Sequence, residues 1–193
     1  NQIIDDIDIA VMGGAKEGVL CGVQLGSWGK DLKPKQNLSD LINRILEASI
    51  IPRVRLSSIE PWDLNDDFFK LWKNPRLCRQ LHLPLQSGCG KTLERMGRKC
   101  SPEIYRGYVE AARRVCPEIA ITTDIMVGFP GETEDDFIES VAFVDSIDFA
   151  GRHVFKFSPR SITPASRMAG QLPIPLRKSR SQVMRKILDL SRS

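Results

Sequence analysis

HLPLQSGCGKTLERM (His82 to Met96) and TTDIMVGFPGETEDDF (Thr122 to Phe137) decide the fold. Each reads as a short apolar strand that breaks at Gly or Pro and then opens a helix with acidic or hydroxyl residues, as ligand-binding loops do on a parallel β/α scaffold. Working outward, apolar runs of similar length cover Gly18 to Leu25, Arg53 to Ile59, Gln80 to Leu85, Ala120 to Val127 and Arg152 to Phe157. They do not alternate apolar with polar residues, which predicts strands buried on both faces of a parallel sheet.

Between these runs the apolar spacing turns helical. Leu38, Leu41, Ile42, Ile45 and Leu46 form one stripe, with Asn37 or Ser39 as its cap. Phe68, Phe69, Leu71 and Trp72 form a second that stops at Asn74-Pro75, and Tyr105, Val109, Ala112 and Val115 a third before Pro117. A fourth, Phe137, Val141, Val144 and Ile147, follows Thr133 and carries Asp135 and Asp136 in its first turn, where they complement the helix dipole. Asp6 to Met12 reads as the end of a preceding helix stopped by Gly13-Gly14, so the sequence is expected to begin inside a fold, after the strand that this helix follows. Ser158 to Pro175, with Pro159, Pro164, Pro173 and Pro175, reads as a surface loop. Leu176 to Arg192 then sets Leu176, Val183, Ile187, Leu188 and Leu190 against Arg177, Lys178, Arg180, Arg185 and Lys186. That pattern predicts a surface helix with a solvated basic face, or one that contacts RNA.

Composition narrows the classes. With 193 residues, 41% hydrophobic and 27% charged, the chain has the means for one core. No apolar run approaches the roughly 20 residues that span a bilayer, so a cytoplasmic protein without membrane contact is expected. A net charge of +4 permits contact with RNA phosphates without requiring it. The cysteines, Cys21, Cys78, Cys89, Cys100 and Cys116, contain no CxxC or CxxxCxxC spacing, which argues against structural zinc, a disulfide framework or any metal site within the chain. Cys21 reads as a small buried hydrophobe, and His82 and His153, both within strands, as satisfied core histidines. A Walker loop, a dinucleotide GxGxxG and a GxSxG elbow are all missing.

Ligands of parallel sheets lie at the carboxyl ends of the strands. Those positions carry Gln24 and Ser27-Trp28-Gly29, Ser57 to Pro61 with Glu60, Gln86-Ser87-Gly88, Gly128 to Glu132, and Ser158-Pro159-Arg160. Amides, hydroxyls, glycines, one arginine and an aromatic suit a zwitterionic nucleoside better than a bare phosphate. The same residues also have simpler uses: Gly128, Pro130 and Gly131 can shape a tight turn, and Glu132 can be a first-turn carboxylate.

GVQLGSWG (Gly22 to Gly29), RVRLSSIEP (Arg53 to Pro61), HLPLQSG (His82 to Gly88), TDIMVGFPGETEDDF (Thr123 to Phe137) and HVFKFSPRSITPA (His153 to Ala165) follow one another as in the radical S-adenosylmethionine (SAM) methylthiotransferases. Across nearly its whole length the sequence resembles that family, above all the branch acting on N6-threonylcarbamoyladenosine beside the tRNA anticodon. The resemblance implies an α/β fold, a partial parallel (β/α) barrel of the radical SAM type lacking its first strand, with residues 1–175 supplying five β/α units. Residues 176–193 would be a basic helix leading toward a C-terminal RNA-binding domain. It also implies a transferase that uses SAM and 4Fe-4S clusters, a reductant protein and the tRNA anticodon loop, opening adenine C2 with a deoxyadenosyl radical. By position Gln24 and Ser27 would meet the methionyl end of SAM, Gln86 and Ser87 its ribose, and Val127, Gly128 and Phe157 its adenine. Glu60 and Arg160 would orient the methionyl carboxylate or the substrate. The family's CxxxCxxC is not in this sequence, so the cluster ligands are expected outside it, no catalytic residue is assigned within it, and the chain alone is expected to be inactive. A cluster-free RNA-binding relative and the branch acting on ribosomal protein S12 are the alternatives. Departures include Trp28 where tyrosine is usual, Cys89 where serine is usual, and Ile162 where glycine is usual, the last threatening the loop at Arg160 if positive φ is needed there.

Overall fold

The computed structural model describes residues 2–190, with the side chains of residues 187–190 outside that description. Along the chain come α1 (Gln2–Met12), β1 (Glu17–Leu20), α2 (Leu38–Ala48), β2 (Arg53–Leu56), α3 (Asp66–Phe69) and β3 (Gln80–His82). These are followed by α4 (Gly90–Arg95), α5 (Pro102–Val115), β4 (Ala120–Val127), α6 (Glu134–Ile147), β5 (Gly151–Lys156) and α7 (Ile174–Leu190). They build two compact units, Asn1–Leu83 with Glu110–Ala120, and Pro84–Val109 with Ile121–Ser193.

In the first unit β1 and β2 pair in parallel from Glu17↔Arg53 to Leu20↔Leu56. The same parallel sense continues through the bridges Val54↔Leu77 and Ser58↔His82. Such pairing needs a crossover, and α2 supplies it, burying the whole predicted stripe of Leu38, Leu41, Ile42, Ile45 and Leu46. Each of these side chains contributes roughly 1.5–3 kcal/mol by leaving water. Asn37, not Ser39, is the cap: its side chain accepts from Asp40 N at 3.1 Å, and the Asp40 carboxylate accepts from Asn37 N at 2.9 Å. α3 is shorter than its stripe. Capped by Asn65, it tightens after Phe69 into a 3-10 turn over Lys70–Lys73, and Trp72 donates its indole N–H to Cys78 O at 2.9 Å.

In the second unit β4 and β5 pair in parallel from Thr122↔Gly151 to Val127↔Lys156, and Gln86 bridges to Ile125. The intervening α6 starts on a capping box in which Thr133 Oγ1 accepts from Asp136 N and Asp136 accepts from Thr133 N, both at 3.1 Å. α5 carries its predicted stripe inward, with Tyr105 and Val109 buried in this unit and Ala112 in the first.

Several expectations are corrected. β1 ends at Leu20 instead of running to Leu25, because Leu20 O is the last group to accept from β2's chain, from Ser57 N at 3.0 Å. Beyond it the chain leaves the sheet, so Cys21 is exposed instead of buried. Nor are the strands buried on both faces: β4 alternates, β5 buries only Val154 and β1 buries none of its residues. β1 and β5 stand at the ends of their sheets, where one side faces water. His153, on β5, therefore has an imidazole 77% exposed, 3.4 Å from Asp124 Oδ1, and is no core histidine; His82 is half-buried. The last helix begins at Ile174, two residues into the expected loop, with Pro175 in the first turn, where its missing N–H costs nothing. It turns Arg180, Ser181 and Met184 inward and leaves Leu176 and Val183, two residues of the expected apolar face, exposed. The expected side chains of Ile187, Leu188 and Leu190, and all of Arg192, lie outside the described residues. Ile162 is exposed and is not among the residues with positive φ, so the loop at Arg160 does not demand glycine there.

Asn37→Ala is expected to lower the stability of the first unit by about 1 kcal/mol, and Ser39→Ala by less than about 0.5 kcal/mol, in denaturant titrations. Equal losses would reject the cap assignment.

Candidate functional site

The strand ends were expected to carry the chemistry, and each unit presents its own set. In the first, Gln24 and Ser27 share one turn: Ser27 donates from both N, at 2.9 Å, and Oγ, at 2.8 Å, to Gln24 O. Both line an open cleft of about 590 Å³ together with Cys21, Trp28 and Lys30. Glu60 does not line it. It precedes the turn Pro61–Asp63, whose Asp63 N donates to Glu60 O at 3.0 Å and whose carboxylate meets Lys30 Nζ at 3.3 Å.

The second unit brings Gln86, Val127, Gly128 and Phe157 onto neighbouring strand ends. Gln86 N donates to Asp124 O and Gln86 O accepts from Met126 N, each at 2.8 Å, while Phe157 N donates to Val127 O at 2.9 Å. Gln86 holds φ at 72°, a left-handed conformation that costs a non-glycine residue about 1 kcal/mol or more. Ser87 is turned inward: its Oγ accepts from Cys89 N at 3.2 Å and lies 3.4 Å from Ser140 Oγ, which also accepts from Gly88 N at 2.8 Å. Phe157 meets Phe129 edge to face with centroids 5.3 Å apart, and it lines a cleft of about 300 Å³ with Lys156, Ser158, Pro159 and Arg177. Arg160 sits on an exposed turn whose carbonyl accepts from Thr163 N and Oγ1.

Beneath this rim lies a network that sequence reasoning missed. Glu132 Oε1 accepts from Gly128 N at 3.0 Å and from Arg180 Nη1 at 2.6 Å, and the Glu132 and Arg180 side chains are only 2% and 4% exposed. Arg180 also donates to Glu132 O at 3.1 Å and Glu134 Oε2 at 2.8 Å, and its guanidinium stacks 5.1 Å from the centre of the Phe137 ring. Gly128 has φ +75°, and a Cβ there would come within 2.4 Å of Arg177 Cγ, so no larger residue fits. Arg177 and Arg185 donate to Phe157 O and Val154 O at 2.6 and 2.9 Å, which occupies α7's arginines with the second unit instead of leaving them on a solvated face. Arg95 donates to Asp136 Oδ2 at 2.6 Å.

Burial raises the Glu132 pKa, and the hydrogen bonds from Arg180 and Gly128 offset this only in part. For Asp136, burial pulls upward too, but Arg95 and the Thr133 amide outweigh it and hold the carboxyl below its usual range. Burial lifts the thiol of Cys89, and that of Cys100 to about 11, so neither is a ready nucleophile. The Thr133-to-Asp136 spacing was the only readable signal of this network, since the arginines come from distant sequence.

Parallel strands joined by crossover helices define an α/β scaffold, a class whose ligands lie at the carboxyl edge of the sheet. Residues 2–144 match the family model of the radical SAM superfamily, and the chain belongs to that superfamily. It is 45% identical over 183 residues to the threonylcarbamoyladenosine tRNA methylthiotransferase of Thermotoga maritima, covering 94% of this chain and 42% of that protein. To the tRNA-2-methylthio-N(6)-dimethylallyladenosine synthase of Clostridium botulinum strain Loch Maree it is 38% identical over 180 residues, 93% of this chain and 40% of that protein. The chain thus spans about two fifths of these relatives. Among solved structures, the radical SAM enzyme coproporphyrinogen III oxidase from Escherichia coli superposes with a TM-score of 0.62 at 17% identity, over 80% of this chain and 36% of that one, a likeness of fold. The superfamily implies SAM and a 4Fe-4S cluster. Among the described residues no three His, Cys, Asp or Glu side chains group to hold a metal ion, so these residues do not fit the cluster, and no chemical step is assigned to it here. Nor is any helix among them long and apolar enough to cross a membrane.

Arg180→Met is expected to cost about 3–5 kcal/mol at pH 7, because it leaves Glu132 charged and alone. The deficit should shrink as pH falls, since burial already raises the Glu132 pKa with Arg180 present, and the unpaired carboxyl sheds its charge penalty by taking up a proton. Asp136→Asn should behave oppositely. A depressed carboxyl contributes stability above its unfolded pKa of about 3.9, so the loss is full at pH 7 and fades as pH falls below about 4. Denaturation midpoints across pH for the wild type and both variants check these signs; pH-independent differences would refute them.

Proposed function

We propose that this chain is the central part of a radical SAM transferase that places a methylthio group on C2 of N6-threonylcarbamoyladenosine beside the tRNA anticodon. The observation that carries this reading is the 45% identity to the threonylcarbamoyladenosine enzyme, against 38% for the dimethylallyladenosine enzyme. In it residues 1–175 form the incomplete barrel of five β/α units, and residues 176–193 lead toward an RNA-binding domain. The whole protein works in the cytoplasm, where its tRNA is, with a reductant protein. SAM and 4Fe-4S clusters supply radical chemistry and sulfur, with the cluster ligands lying outside this chain.

The chain's own residues place SAM and exclude water. Gln24 and Ser27, on one turn in one cleft, suit the amino and carboxylate groups of its methionyl end. Gly128 and Val127, buried at the end of β4 with Gly128 held by Glu132 and Arg177, back the base from beneath, and Phe157 gives it apolar support. Gln86, held at positive φ on its strand end, serves the ribose, while Ser87, engaged with Cys89 N, serves it by shaping the turn. Glu60 and Arg160 orient the methionyl carboxylate or the substrate.

Disrupting the gene for this chain should remove 2-methylthio groups from threonylcarbamoyladenosine in digested tRNA, with the unthiolated nucleoside accumulating in mass spectra. Loss from the dimethylallyl nucleoside instead would reassign the substrate, and no change in either would overturn the reading. The chain alone, incubated anaerobically with iron and sulfide, should acquire no cluster. A stoichiometric 4Fe-4S absorption band would contradict the placement of the ligands outside it.

A further inference from the structure

Trp28 and the lysines that follow it have no role in the assignments above, yet the loop that holds them is firmly built. Gly29 O accepts from both Leu32 N and Gln36 N at 3.1 Å, closing the segment on itself immediately before the Asn37 cap of α2. Gly29 has φ +83°, and a Cβ there would lie 2.7 Å from Gln36 O, so the closure depends on glycine. At its base Lys30 is tied to Asp63. From the closed loop Lys33 and Lys35 stand exposed, and the segment's own acid is Asp31 alone. Trp28 is half-buried at the foot of the loop, where it borders the cleft of about 590 Å³ and, with Leu41 and Arg44, a second of about 350 Å³.

We propose that this loop is a docking platform for a single-stranded RNA loop, with the Trp28 indole stacking an unpaired base and Lys33 and Lys35 meeting the adjoining phosphates. The inference rests on the tRNA reading and deepens it by naming the contact surface. Aromatic faces and cations carried on one surface hold unpaired nucleotides, because every base has a π face and every linkage a negative charge. The smaller cleft, of about 350 Å³ and distinct from the one given to the methionyl end of SAM, lies within the range of about 300–1,000 Å³ typical of ligand pockets. An acidic peptide could use the lysines but would gain nothing from the indole.

The test is fluorescence anisotropy of a labelled anticodon hairpin against this chain across a salt series. Trp28→Ala should weaken binding about tenfold, while Trp28→Phe, which keeps a stacking face, should stay within about threefold of the wild type. The double variant Lys33→Ala/Lys35→Ala should reduce the slope of log affinity against log salt by about 1.4, the share of two phosphate contacts on a single strand. Circular dichroism of each variant separates lost contact from lost fold, and the Phe and double-lysine variants keep the inference testable if the alanine variant misfolds. Wild-type binding that all variants match would overturn the platform and leave the tRNA reading standing. Absence of wild-type binding at low salt would overturn the platform, whereas the tRNA reading falls only if the nucleoside analysis after gene disruption shows no change. Equal affinity for a polyglutamate peptide, indifferent to Trp28, would reduce the surface to a plain cation patch and overturn the stacking role.

Discussion

A carboxylate removed from water must find compensation, and Glu132 finds it in Arg180 and the amide of Gly128. That one demand organises the second unit. It fixes the turn after β4, draws α7 inward through Arg180, and sets Arg177 beneath Gly128 so that no side chain fits there. Arg180 bonds through its two terminal nitrogens to Glu132 and Glu134 and stacks on Phe137, while its Nε is buried without a partner. The ion pair adds little net stability by itself, since desolvating two charges consumes most of what their attraction returns. Its effect is selective: only the arrangement that joins α7 to the β4 turn satisfies both charges.

The first unit obeys a different constraint. Parallel pairing of β1 with β2 requires a crossover, and α2 meets that need with an apolar stripe and a reciprocal cap at Asn37 and Asp40. The chain leaving β1 therefore has to turn at Gln24–Ser27, close its loop on Gly29 and reach Asn37 ready to start a helix. The exposure of most of the Cys21 to Lys35 segment, Leu25 and Gly29 excepted, follows from this route, because its backbone makes local turns.

Periodicity and capping chemistry were legible because they depend on neighbours in sequence. The α2 stripe, the α5 stripe, the Thr133 cap and the strand-to-loop breaks at Gly88 and Gly128 could all be read from spacing. What could not be read depends on partners far along the chain. Arg180 looked like part of a solvated basic face because nothing near it in sequence names Glu132 as its partner. Cys21 looked buried because its apolar neighbours hide where sheet pairing stops, and Leu20 O is the last acceptor. His153 looked like a core residue because an edge strand carries the same apolar residues as a central one. Of the candidate site, the strand-end positions were visible. The inward turn of Ser87 toward Ser140 and the strain at Gln86 were not, since both come from packing against α6 or β4.

The distribution of thiols carries a practical consequence. Cys89, Cys100 and Cys116 are buried and Cys78 is partly covered beside Glu17, whereas Cys21 lies open on the same turn-rich segment as Trp28. A maleimide dye at limiting concentration would attach there first, with no engineered residue, next to a natural fluorophore that could report on it by energy transfer. The native chain thus carries its own donor and acceptor positions for following that surface by light.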